Sequence, residues 1–131
     1  NTPYPGIREL LEALTADGHK LYIATSKPEG MSREILEHFD LSKYFTMICG
    51  ASMDFSRNTK EAVIAYLLEQ SGESENMVMV GDTKFDILGA RHHGIPAIGV
   101  SWGYGKVEDM VAAGAEAIAD TPRQLLELLE A

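Results

Sequence analysis

VMVGDTKFDILGA, residues 78–90, runs an apolar stretch into Gly81, follows it at once with Asp82 and places a second acid, Asp86, four positions on. MVMVG (77–81) reads as a short buried strand. The spacing after it reads as a helix from about Thr83 to His93, ended by Gly94. A strand, an acidic turn and a helix make one unit of a parallel α/β sheet. In such sheets the strands are buried on both faces and ligands gather beyond their carboxyl ends.

The chain on either side repeats that unit. Upstream, GIRELLEALTADG sets Ile7, Leu10, Leu11 and Leu14 on one helical face and stops at Gly18. LYIAT (21–25) is a strand, Pro28 and Gly30 mark a loop, and Met31, Ile35, Leu36 and Phe39 space a second helix. FTMIC (45–49) is the next strand, and the polar loop GASMDFSRN follows it. Asn58 and Glu61 then form an N-x-x-E pattern like a capping box, opening the helix TKEAVIAYLLEQ. Downstream, IPAIGV (95–100) is a fourth strand, WGYG a turn-rich loop, KVEDMVAAG a short helix and AEAIA (115–119) a fifth strand. Thr121, Pro122 and Gln124 read as N-cap, first residue and third residue of a closing helix. Short apolar strands between amphipathic helices predict an α/β fold, a three-layer sandwich around a mostly parallel sheet.

Composition narrows the functions. The 131 residues are 45% apolar with a mean hydropathy of -0.09, a folded rather than disordered composition. No apolar run approaches the ~20 residues of a membrane helix. The opening NTPYPG lacks the basic region and apolar core of a signal peptide. Twenty acidic against eleven basic residues, a formal charge of -9, argue against binding nucleic acid through phosphates. Cys49, the lone cysteine, has no partner for an internal disulfide; it reads as a buried, inert thiol in a reducing, cytoplasmic setting.

The residues after each strand are the candidates for chemistry. Thr25 and Ser26, with adjacent backbone N–H groups, suit a phosphate oxygen, although hydroxyls are common at turns. Lys60 falls in the first turn of its helix, where a cation opposes the dipole at a cost of ~0.3–1 kcal/mol. It is either a solvated surface lysine or a cation aimed at the strand ends. Asp82 and Asp86 would bring their carboxylates within about 5–6 Å, where two charges repel by roughly 3 kcal/mol at an effective dielectric of 20. Either Asp82 caps the helix and Asp86 stabilises its positive end, or the pair holds a hard cation such as Mg²⁺. Gly81 would let a ligand or backbone approach closely. His92 and His93 lack a carboxylate or thiol at ligand spacing. Trp102 and Tyr104 either wall a pocket or cover the edge of the core.

A strand ending in Thr25, a lysine at a helix start and Gly-Asp-x-x-x-Asp after a strand occur here in one order. That order resembles the haloacid dehalogenase superfamily of phosphatases. LYIATSKP matches its second motif, RNTKEAVIAYLLEQ its third and VMVGDTKFDILGARHHGI its fourth. PYPGIRELLEAL and GASMDFSRNTKEAV look like the phosphoglycolate-phosphatase-like branch. The resemblance implies a Rossmann-like core and a Mg²⁺-dependent phosphomonoester hydrolase working through an aspartyl-phosphate. It implies that Thr25, helped by Ser26, bonds the phosphoryl oxygens and that Lys60 neutralises charge. Asp82 would ligate Mg²⁺ directly, and Asp86 directly or through water.

The family's first motif, Asp-x-Asp, which carries the nucleophile, occurs nowhere in the chain. With the non-Met start, this predicts the C-terminal portion of a longer phosphatase, residues 1–131 lacking the cap, the central strand and the nucleophile. Such a piece is expected to be inactive alone and open to self-association along the unpaired sheet. A non-catalytic binding or assembly module, or a pseudoenzyme, is the alternative. A response-regulator receiver places its acidic pair first in the chain, and a dehalogenase uses no Mg²⁺; both fit less well.

Overall fold

A computed structural model describes residues 5–51, 59–72, 76–103 and 105–130, without the side chains of 26–28. Helix and strand alternate: α1 (Ile7–Ala16), β1 (Tyr22–Pro28), α2 (Glu29–His38), β2 (Met47–Ala51), α3 (Lys60–Ser71), β3 (Met79–Gly81), α4 (Lys84–His92), β4 (Ala97–Val100), α5 (Val107–Ala113), β5 (Ala117–Ala119) and α6 (Pro122–Glu130). The described strands pair in parallel throughout, as a β1–β2 sheet and a β3–β4–β5 sheet. The chain divides into two compact units, Asn1–Gly72 and Glu73–Ala131.

In the first unit, α2 and α3 both pack on β1 and β2. Leu10, Leu11 and Leu14 of α1, Ile48 and Cys49 of β2, and Val63, Ile64 and Leu67 of α3 are buried. Cys49 is thus the buried thiol that its apolar run predicts. Gly18, past the end of α1, has φ +89°, a left-handed conformation that glycine adopts without the Cβ penalty. Arg8 of α1 donates to the carbonyls of Phe39 (2.6 Å) and Asp40 (3.3 Å), satisfying groups beyond the end of α2.

Several boundaries differ from the sequence reading. No loop separates β1 from α2: the strand runs through Pro28 and the helix starts at Glu29. The acid suits the positive end of α2, and its carboxylate accepts from the Gly50 N–H at 3.3 Å, tying the helix start to β2. β2 begins two residues later than FTMIC suggests, after a 3-10 turn over Ser42–Tyr44. On α2, Met31 and Ile35 are 53% and 39% exposed, and Ser32 is the buried residue. The cap of α3 is Thr59, whose hydroxyl accepts from the Ala62 N–H at 3.1 Å. The capping pattern therefore sits one residue later than Asn58, which lies outside the described residues together with the rest of 52–58.

In the second unit, α4 and α5 share a core in which Ile87, Ala90, Ala97 and Met110 are fully buried, with Met79, Ile95 and Ile118 packed around them. α6 packs on β5. Its cap is the one the sequence predicts: Thr121 Oγ1 accepts from the Gln124 N–H (3.1 Å) and Gln124 Oε1 from the Asp120 N–H (2.7 Å). Among the described residues, no helix is long and apolar enough to cross a membrane.

Candidate active site

The first unit places Lys60 at the first residue of α3, immediately after the Thr59 cap. Its ammonium does not stand free at the positive helix end. Lys60 Nζ donates to the carbonyl of Ala24 at 2.7 Å, a half-buried contact that reaches back to β1. Ala24 immediately precedes Thr25, so the lysine sits at the strand position the sequence singles out. The local cost of a cation beside the helix dipole is offset by a charge-assisted bond to an oriented carbonyl.

The β1–β2 ladder breaks at the same place. Ala24 pairs with Cys49 and Pro28 with Ala51, so four steps along β1 oppose two along β2. Thr25, Ser26 and Lys27 form the irregular stretch between those pairs. Such bulges re-aim side chains and recur beside binding sites. Thr25 is half-buried. The Ser26 side chain lies outside the described residues.

The second unit places Asp82 and Asp86 on the turn from β3 into α4. Asp86, 7% exposed, accepts three hydrogen bonds on Oδ2: from the Asp82 N–H (3.0 Å), the Thr83 N–H (3.2 Å) and the Thr83 hydroxyl (3.3 Å). Thr83, not Asp82, is the N-cap of α4, and Asp86 supplies the carboxylate half of a capping box. Asp82 is released from the capping role that the sequence left open for it. Its side chain is half-buried.

Glycines shape this turn. The close approach expected at Gly81 is made by Asp86 itself: a Cβ there would lie 2.7 Å from Asp86 Cγ and Oδ2. Gly103 and Gly105, from the loop after β4, pack on Asp82. A Cβ on Gly103 would lie 2.7 Å from Asp82 Cγ and overlap Cβ and Oδ2 as well; one on Gly105 would strike the Asp82 carbonyl and Thr83 Cα. The Gly105 N–H donates to the Asp82 carbonyl at 2.9 Å. Sequence reasoning missed both residues. Their signal is there, two glycines two apart just past a strand end, but it reads as turn chemistry until the close approach is seen.

His92 and His93 stack edge to face, centroids 5.0 Å apart, at the end of α4. Among the described residues, no three His, Cys, Asp or Glu side chains cluster as a metal cage. Tyr104, proposed with Trp102 as a pocket wall, lies outside the described residues.

The sequence profile of the haloacid dehalogenase-like hydrolases matches residues 1–100. The chain belongs to that family. It is 43% identical over 113 residues to a 5'-nucleotidase of Pseudomonas aeruginosa, covering 86% of this chain and 51% of the relative. It is 44% identical over 109 residues to the tyrosine-protein kinase PtkA of Mycobacterium tuberculosis, covering 82% and 38%. With a phosphoglycolate phosphatase of Vibrio parahaemolyticus it shares 32% identity over 127 residues, covering 96% and 56%. A solved structure of a predicted phosphatase from Clostridium acetobutylicum superposes with a TM-score of 0.93 at 42% identity, covering 98% of this chain and 60% of that one. The chain thus spans about half the length of most of these relatives.

The haloacid dehalogenase-like turn has the chemistry for a hard divalent ion in part. Both acids offer only oxygen, as Mg²⁺ prefers. One Asp86 oxygen is committed to three donors, which fix the turn. Asp82, which does not cap α4 and has Gly103 packed against its side chain, would be the better direct ligand. Two acids supply fewer oxygens than the six that Mg²⁺ takes, so water, substrate or further protein groups would complete the set.

Proposed function

We propose that this chain carries the phosphate-binding and metal-binding residues of a Mg²⁺-dependent phosphomonoester hydrolase acting on small phosphorylated metabolites, phosphoglycolate-phosphatase-like in kind. The observation that carries the reading is the Lys60 ammonium, held on the Ala24 carbonyl beside Thr25 at the broken end of the β1 ladder. That is a cation beside a hydroxyl-bearing residue at a break in a strand's ladder, in a chain whose net charge is -9. Thr25, with Ser26, donates to phosphoryl oxygens. Lys60 neutralises the charge that builds as the ester bond breaks. Asp82 holds Mg²⁺ directly, and Asp86 keeps the turn in shape and holds the ion directly or through water. When bound, the ion withdraws negative charge from the phosphoryl group. Positioning and charge neutralisation of this kind supply most of the catalysis in phosphoryl transfer.

The nucleophile comes from an Asp-x-Asp motif outside these residues; attack of its carboxylate on phosphorus breaks the P–O ester bond, releases the alcohol and gives an aspartyl-phosphate that water then hydrolyses to phosphate and the free carboxylate. Residues 1–131 are accordingly the C-terminal portion of the family's core domain, inactive alone and free to associate through unpaired strand edges. A second reading, transfer of the phosphoryl group to a protein acceptor, draws support from the relative named as a tyrosine-protein kinase.

The test assays the 131-residue chain and the full product of its gene against a panel of phosphomonoesters with Mg²⁺. Phosphate release by the full product alone, abolished by EDTA, is expected. No release from any ester by the full product would overturn the hydrolase reading, and labelled phosphoprotein without free phosphate would replace it with the second.

A further inference from the structure

We infer that Glu29 is a positioning residue for the phosphate-binding stretch at Thr25 and Ser26, and that the reach of its side chain thereby sets how tightly the site holds a phosphoryl group. The inference rests on the reading of Thr25 and Ser26 as donors to phosphate. On β1, Thr25, Ser26 and Lys27 stand between the paired positions Ala24 and Pro28; on β2, Gly50 alone stands between Cys49 and Ala51. Three residues facing one lack the register that regular pairing imposes. Side chains tie down both flanks of the stretch. Before it, Lys60 Nζ donates to the Ala24 carbonyl at 2.7 Å. After it, Glu29 Oε1 accepts from the N–H of Gly50, the β2 residue opposite the stretch, at 3.3 Å.

An acid in the first turn of α2 also stabilises the positive end of the helix. That role needs charge and no particular reach. The bond to Gly50 needs an acceptor at one particular reach, and it joins residues 21 positions apart. Arg33 adds little: its guanidinium lies 4.0 Å from Glu29 Oε2, and both side chains are partly exposed. The two roles come apart on substitution. Glu29→Asp keeps the charge beside the helix dipole and draws the acceptor back by one methylene, away from Gly50. Glu29→Gln keeps an acceptor at full reach and removes the charge. For a positioning residue aspartate is the damaging change and glutamine the mild one; for a helix-start acid the order is reversed.

The test uses the full gene product with Mg²⁺: calorimetric binding of inorganic phosphate, and steady-state phosphomonoester hydrolysis. Glu29→Asp is expected to weaken phosphate and to lower kcat/KM, each about tenfold or more, as misplaced positioning groups do. The loss falls on KM as well as kcat, whereas a fraction of unfolded protein would lower kcat and leave KM and the phosphate Kd in place. Glu29→Gln is expected to stay near wild type in both measurements, and Arg33→Gln, the control, to match it. Thr25→Val reports on the phosphate site itself and should weaken phosphate too. If Thr25→Val weakens phosphate and Glu29→Asp does not, or if glutamine does the greater damage, the inference alone is overturned. A wild type that binds no phosphate, or a Thr25→Val variant that binds it unchanged, would overturn the phosphate reading and the inference with it. Should Glu29→Asp not fold, amide hydrogen exchange in the full wild-type product decides. Exchange at Gly50 must slow together with that at Thr25 when phosphate is added, and an unchanged Gly50 beside a slowed Thr25 sinks the proposal.

Discussion

The turn after β3 and the break in the β1 ladder hold their candidate residues by different means. In the second unit, Asp86 is fixed by neighbours three and four residues away, through three bonds to one oxygen and a glycine that leaves room for it. In the first unit, Lys60 reaches a carbonyl 36 positions earlier in the chain. The acidic turn is a local structure that a short peptide segment encodes. The cationic end is a tertiary one, assembled only when α3 packs on β1. Local devices of this kind tie residue identity to stability; tertiary ones leave the identity of the reaching side chain freer of the fold, so that function constrains it instead.

Removing each residue sharpens that contrast. The largest effect on folding is expected from Asp86→Ala. It strands the part-buried Asp82 and Thr83 N–H groups and deletes an acceptor of three bonds, costing about 2–3 kcal/mol in urea denaturation. Asp86→Asn keeps an acceptor and should recover part of the loss. A loss below about 0.5 kcal/mol for the alanine variant would mean that the turn does not depend on its capping carboxylate.

Lys60→Met should invert the pattern. The Ala24 carbonyl can be solvated in its place, so the stability change is about 1 kcal/mol or less. The full gene product, however, should lose about 100-fold or more in phosphomonoester turnover, the usual cost of removing one charge-stabilising donor. A variant as active as wild type would show that Lys60 is only a structural reach from α3 to β1.

How much of this the sequence disclosed follows the same division. The fold class and nearly every element could be read from periodicity and glycine stops, because strand and helix periods are local. Asp82 and Asp86 were legible as a pair for the same reason, although which of Asp82 and Thr83 caps α4 was not; both residues suit the role, and three-dimensional bonding chooses. The reach of Lys60 to a strand was one of two readings of its place at a helix start, and the sequence did not choose between them; the lean of Gly103 on Asp82 was hidden. Each contact joins residues far apart in sequence, and no spacing rule records it. The capping of α3 was displaced by one residue because Asn58 and Thr59 are both good caps, and Glu61 matched the wrong one.

Thr59→Ala tests whether α3 brings Lys60 to β1 by virtue of its cap. The hydroxyl accepts the Ala62 N–H, and its loss should cost about 1 kcal/mol. Turnover of the full product should fall less than for Lys60→Met, since the lysine remains. If Thr59→Ala instead abolishes turnover at unchanged stability, the hydroxyl itself works on substrate and the cap is secondary.

The smallest effect belongs to an exposed pair in the first unit, far from either candidate end in sequence. Lys43 Nζ lies 3.0 Å from Asp40 Oδ2. Its hydrogen bond and charge hold the Asp40 carboxyl below the ordinary carboxylate value, and Asp40 in turn raises the Lys43 ammonium. For the acid, a lowered folded value means stabilisation that is present above its unfolded value and lost as pH falls through the folded one. For the lysine, a raised value means stabilisation that is complete below its ordinary value and lost as pH rises through the folded one. The pair therefore contributes across the neutral range and fades at both extremes, and salt screens it. Asp40→Asn tests the charge alone, because asparagine tolerates the left-handed backbone at this position, φ 57°. Wild type and variant should differ slightly at neutral pH and low salt and converge in strong acid or high salt. A difference that persists in acid would assign the role of Asp40 to its backbone conformation after α2 rather than to its charge.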